Sequence, residues 1–203
     1  MNIVVQTIST FFLYAVGAVF AQNAVFSRSL GVSRLVKMVG EASSDNLLFC
    51  GLLCLVQVIS APLAWMANRW ILTPLSFRAA VRPLVLVLCS AAALGIVIVV
   101  CSALRRPSTS RVAQLLPMAT FNCAVIGCLL VTTIQNFTLV QTLGFAVGSG
   151  AGYTLAVLAV TEGQRKLQAR AVPAVFRGLP VTLLYIGILA LAIYGFTGHT
   201  AAF

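Results

Sequence analysis

The residues best suited to chemistry lie in the stretch "LPMATFNCAVIGC", where Asn122 and Cys123 interrupt an apolar run shortly after Pro117. A cysteine thiolate is a nucleophile and a metal ligand, but from spacing alone Cys123 reads as readily as a small, buried, inert thiol in a helix-packing seam. A carboxamide offers both a donor and an acceptor to backbone groups that have lost their partners. A second such asparagine, Asn23, stands in "QNAVF" about a hundred residues earlier. The other five cysteines, Cys50, Cys54, Cys89, Cys101 and Cys128, fall inside apolar runs, where cysteine behaves as a small packing residue. Cys128 follows Cys123 by five residues, about 140° round a helix, so the two do not share a face. No dinucleotide fingerprint, phosphate-binding glycine loop or Ser-His-Asp set is present, so dinucleotide, flavin and hydrolytic chemistry are not expected of this chain.

The elements that must hold these residues follow from composition. With 61% hydrophobic residues, 8% charged residues and a mean hydropathy of +1.06, the 203-residue chain has too little polar surface to cover a water-soluble globule. Its solvent is the lipid bilayer, which a helix of roughly 20 apolar residues crosses. Six segments meet that length, at about 3–26, 47–66, 83–104, 112–133, 139–161 and 175–196. The N-terminal "MNIVVQTIST" lacks the basic region and cleavage site of a signal peptide and reads as the start of the first span. The six cysteines fall within spans, so their even number implies no disulfide framework.

Positive charge sets the orientation, because cytoplasmic loops retain Lys and Arg. Ten of the thirteen follow the odd-numbered spans: Arg28, Arg34 and Lys37; Arg105, Arg106 and Arg111; Arg165, Lys166, Arg170 and Arg177. Arg69, Arg78 and Arg82 lie between the second and third spans. Both termini are therefore expected outside the cytoplasm of a cell inner membrane. The net charge of +10 is topological and, secondarily, attracts anionic lipid. Nucleic-acid binding is not expected, since the charges are scattered over short loops instead of interleaved with aromatics on one face.

The chain reads as a single transmembrane domain, residues 1–203, built from related halves of about 1–104 and 105–203. "QNAVF" and "NCAV" recur at corresponding places, as do Arg82 and Arg177. Three spans per half is an odd number, so the halves must be inverted relative to each other in the membrane. The expected fold is all-α, six transmembrane helices in two inverted three-helix repeats, the first helix of each half broken. Pro117 lacks an amide hydrogen and disfavours helix at the residue before it, so the break is expected there, with Asn122 satisfying freed backbone groups.

Other residues have plainer roles. Gly144, Gly148 and Gly152 make a smooth helix face for close packing. His199 is expected to be solvated, and Asn136-Phe137-Thr138 matches a glycosylation triplet only formally. The acidic residues Glu41, Asp45 and Glu162 fall in loops or at span ends, so this chain alone is not expected to bind a transported ion within its spans.

"FNCAVIG", "LGFAVGSGAGYTLAVLA" and "VPAVFRGLPVTLLYIGILALAIYGFTG" together resemble the second half of the six-span subunits of Rnf and Nqr, ion-translocating membrane complexes that carry electrons between NADH or ferredoxin and quinone or NAD. The likeness is closest to the Rnf A and Nqr E subunits and extends over nearly the whole chain. It implies a homologous six-helix partner of opposite orientation and other proteins of the complex. It also implies a 2Fe-2S cluster shared between the two homologous proteins on four cysteines, one from each half of each. Cys123 matches the second-half ligand, with Asn122 and Asn23 beside the cofactor. Where the family has its first-half cysteine after a Leu-Gly pair, this chain reads "SLGVSRLVK", placing Ser33 at or next to that position. The chain is then at most a non-catalytic subunit of a translocating oxidoreductase. A cluster-less structural paralogue and a small-solute transporter with a site between inverted repeats stay open as alternatives.

Overall fold

A computed structural model of the chain describes residues 2–38, 43–103, 109–167, 176 and 178–197. Glu41, Arg105, Arg106, Arg170, Arg177 and His199 lie outside them. The described residues form helices and turns: α1 Asn2–Val19, α2 Val32–Met38, α3 Ser43–Ala67, α4 Arg78–Ala103, α5 Thr109–Thr120, α6 Cys123–Ile134, α7 Leu139–Leu167 and α8 Leu179–Thr197. A π-helical turn, Asn68–Leu72, prolongs α3.

Four helical stretches are long and apolar enough to cross a membrane: Asp45–Leu72, Arg78–Ala103, Leu139–Lys166 and Leu179–Thr197. The fourth expected span is a bent pair, Arg111–Thr120 and Cys123–Ile134, meeting at 43°. The first expected span is helical only to Val19, because Asn23 draws the following backbone into turns. Pro117 does not break its helix. It sits inside α5, and the amide of Phe121 still donates to the Pro117 carbonyl at 3.0 Å. The interruption comes at Phe121 and Asn122, where a side chain is available to start a new helix.

The long helices α3 and α7 lie innermost, with half or more of their most apolar stretches buried, whereas those of α4 and α8 are 22% and 11% buried. Apolar side chains of α1, α4 and α8 such as Ile3, Leu84, Val99, Leu191 and Phe196 are left exposed, as lipid-facing residues are. α1 packs along α7, α5 packs on α3, and α6 touches α3, α4 and α7. Lipid gives apolar side chains no reason to prefer protein, so close approach must come from small residues. A methyl group on Gly144 or Gly148 would run into the backbone of Phe11 or Ala15, and one on Gly152 would crowd Val19 and the Asn23 carboxamide, so the glycine face of α7 is the seat of α1. Between the helices, Leu35, Met38, Phe49, Leu53, Val56 and Tyr153 fill a core that reaches both interruptions.

Candidate functional site

The first interruption is built around Asn23, which is buried. Its Oδ1 accepts from the amides of Val25 at 2.9 Å and Phe26 at 3.2 Å. Its Nδ2 donates to the carbonyl of Val19 at 2.8 Å, at the end of α1, and to that of Gly152 at 3.1 Å, on α7. One carboxamide thus closes the frayed helix and ties it to the inner helix, as a membrane interior requires of freed backbone groups. The chain then passes through Ser29 and Gly31, both at positive φ (54° and 76°), and the Gly31 carbonyl starts α2 by accepting from Leu35 N.

Asn122 does the corresponding work in the second interruption. It is the N-cap of α6, in extended geometry, with Oδ1 accepting from Ala124 N at 2.9 Å. Its Nδ2 reaches the hydroxyl of Tyr153 at 3.4 Å, and that hydroxyl donates to the Gly31 carbonyl at 3.3 Å. The phenol of α7 therefore bridges the two interruptions. Gly152 and Tyr153, adjacent in sequence, anchor one each. A side chain at Gly31 would meet Tyr153 Cε2 at 2.7 Å and Asn122 Oδ1 at 2.8 Å, so glycine is required there by space as well as by φ. From α3, Gln57 donates Nε2 to the Ala124 carbonyl at 3.4 Å and to Ser149 Oγ at 3.3 Å.

Beside this junction lies an open depression of about 290 Å³ lined by Gly31, Ser33, Arg34, Lys37, Met118, Phe121, Asn122 and Cys123. The two positions that the family resemblance pairs, Ser33 and Cys123, thus border one site. Cys123 is the exposed cysteine of the six, while Cys50 and Cys128 are buried and Cys54, Cys89 and Cys101 half-buried. Arg34 stacks on the Phe49 ring at 5.1 Å and, with Lys37, makes the depression cationic. Among the described residues no group of three or more His, Cys, Asp or Glu side chains could hold a metal ion. The described carboxylates stand at helix ends in surface ion pairs, Asp45 with Arg111 at 3.5 Å and Glu162 with Arg165 at 3.1 Å.

Residues 11–200 match the family model described as Rnf-Nqr subunit, membrane protein. The chain belongs to the Rnf-Nqr family. It is 30% identical over 187 residues to the A subunit of the ion-translocating oxidoreductase complex of Syntrophotalea carbinolica, covering 92% of this chain and 95% of that one. It is 28% identical over 195 residues to the A subunit of the Na(+)-translocating ferredoxin:NAD(+) oxidoreductase complex of Acetobacterium woodii, covering 93% and 97%. The corresponding ion-translocating oxidoreductase protein of Aromatoleum aromaticum is 30% identical over 193 residues, with 93% and 97% covered. As an Rnf-Nqr membrane protein with several apolar helices, the chain is a multi-pass one.

Of the residues that the sequence marked out, Asn122 and Cys123 line the depression, whereas Asn23 is buried in the other interruption, bonded to Val19, Val25, Phe26 and Gly152, and does not border it. Tyr153 and Gln57 were not singled out. The usable signal was a polar side chain in mid-span, since a phenol or carboxamide at that depth must find a partner within the protein.

Proposed function

We propose that this chain is a membrane subunit of an Rnf-type ion-translocating electron transport complex of the inner membrane. In this reading the depression at Ser33 and Cys123 faces a homologous six-helix protein. The observation that carries it is the meeting of the two interrupted segments through Tyr153, with one exposed thiol at the junction. An inverted repeat is supported by the packing, in which exchange of the halves turns the contact of α1 with α7 into that of α5 with α3. The charge distribution favours termini outside the cytoplasm.

A 2Fe-2S cluster drawing two thiolates from this chain does not fit the depression, which offers one thiol and, at Ser33, a hydroxyl. One corner of a cluster does fit. Cys123 would be the ligand, the remaining thiolates coming from outside the chain. When bound, such a cluster accepts and releases single electrons. The chain's own residues perform the positioning: Asn122 starts α6 so that Cys123 stands in its first turn, Asn23 fixes the opposite interruption to α7, and Tyr153 holds the two together. Arg34 and Lys37 favour an anionic occupant.

Iron, acid-labile sulfide and visible absorption of the co-purified complex test this. Cys123→Ala should remove the long-wavelength absorption together with part of the iron; unchanged spectra rule the ligand out. The substitution at Ser33 favours a second reading, a structural paralogue without a cluster. Its mark would be a complex in which the interface of this chain carries no iron until Ser33→Cys restores a second thiol.

A further inference from the structure

We propose that an open cavity at the end of α3 remote from Asp45 binds the phosphodiester headgroup of an anionic membrane lipid. The cavity measures about 500 Å³ and is lined by Trp65, Asn68, Arg69, Thr73, Asn136, Phe137 and Thr138. It sits where the span Asp45–Leu72 ends and the span Leu139–Lys166 begins, at the depth where headgroups lie. The π-helical turn Asn68–Leu72 shapes one wall. Asn136, held at φ 51°, shapes another, its Oδ1 accepting from Asn68 Nδ2 at 3.3 Å. The Arg69 guanidinium lies over the Trp65 ring at 5.8 Å.

The lining offers donors and no negative charge: a guanidinium, carboxamide nitrogens, a Thr138 hydroxyl and an indole N–H. The described carboxylates are at the other ends of these same helices. Asp45 lies in the first turn of α3, whereas Arg69 follows that helix's last turn; Glu162 lies near the end of α7, whereas Asn136 precedes its start. Further cations lie on the neighbouring helix α4, outside the lining of the cavity. Val81 and Val85 of α4 pack with Leu72, and Arg78 and Arg82 share that face by helical spacing. The buried Nε of Arg82 has no hydrogen-bond partner. Cations without carboxylates at the edge of the hydrocarbon, beside indoles that prefer that interface, call for a lipid phosphate as counter-charge. The proposal requires only that α3 and α7 span the bilayer and is independent of any electron relay.

Trp65 and Trp70, the two tryptophans of the chain, both lie at this end of α3 and report on it directly. The complete protein is placed in phosphatidylcholine nanodiscs at physiological salt. It is then titrated with phosphatidylglycerol brominated on its acyl chains, with brominated phosphatidylcholine as the reference. Tryptophan quenching should reach its midpoint at a roughly fivefold lower fraction of the anionic lipid, the preference expected of one arginine near the surface. Arg69→Gln should abolish the preference, Arg69→Lys should keep most of it, and Arg111→Gln, at the opposite helix ends, should leave it intact. Equal quenching by both lipids, a preference that survives Arg69→Gln in a protein of unchanged melting temperature, or a preference lost equally in Arg111→Gln would each overturn the site. Reversal by millimolar inorganic phosphate would overturn the lipid assignment in favour of a free anion.

Discussion

Tyr153 shares its hydroxyl between two segments that the sequence separates widely: Gly31, 122 residues before it, and Asn122, 31 residues before it. Removing that oxygen leaves a buried carbonyl and a buried amide each short of a partner. Tyr153→Phe should therefore destabilise the solubilised protein by about 1 kcal/mol, read as a lowered melting temperature. Asn122→Ala removes the α6 cap as well and should cost about 1–2 kcal/mol. Because the two side chains share a bond, the double variant should fall short of the sum; strict additivity would show that they act independently. Asn122 was legible because it stands beside the interruption it fills. Tyr153 was not, because its partners are fixed by how α7 crosses the junction, and no local pattern encodes a crossing. Ser33 shows the converse: the family resemblance marked it as a departure, and the fold places it on the same depression as Cys123.

The seam between α1 and α7 depends on the absence of side chains. A Cβ at Gly148 would press on the Ala15 carbonyl, whereas one at Gly17 would meet nothing within 4 Å. Gly148→Ala should consequently push α1 off α7, lowering folded yield and melting temperature, while Gly17→Ala should leave both unchanged. Equal behaviour of the two would mean that α1 is not seated on the glycine face. Spacing in the sequence showed the glycine face but could not name its partner, since nothing in the local pattern of α1 says which helix it crosses. The interruptions were legible as a pair, the second misplaced by a turn of helix. Proline within a helix leaves one carbonyl without a donor, which α5 tolerates at Pro117, whereas Asn122 accepts from a new first turn and so ends one helix by starting another.

For the molecule as a whole, hydropathy marked the long helices well because α4 and α8 face outward and carry unbroken apolar surface. It was less sure of α1 and of the bent α5–α6 pair, whose polar interruptions are answered by tertiary contacts. The orientation rests on these two elements. If both α1 and the bent pair cross the bilayer, the crossings are even in number and the termini share a side; the charge distribution, ten of thirteen cations following odd spans, then puts that side outside the cytoplasm. Alkaline phosphatase fused after Phe203, or ahead of α1, should therefore be active, and green fluorescent protein at the same points dark. Fusions in the basic connection between α4 and α5 should behave oppositely. Active phosphatase at only one terminus would mean that one of the two interrupted elements enters and leaves by the same face, and cytoplasmic reporters at both ends would invert the whole assignment.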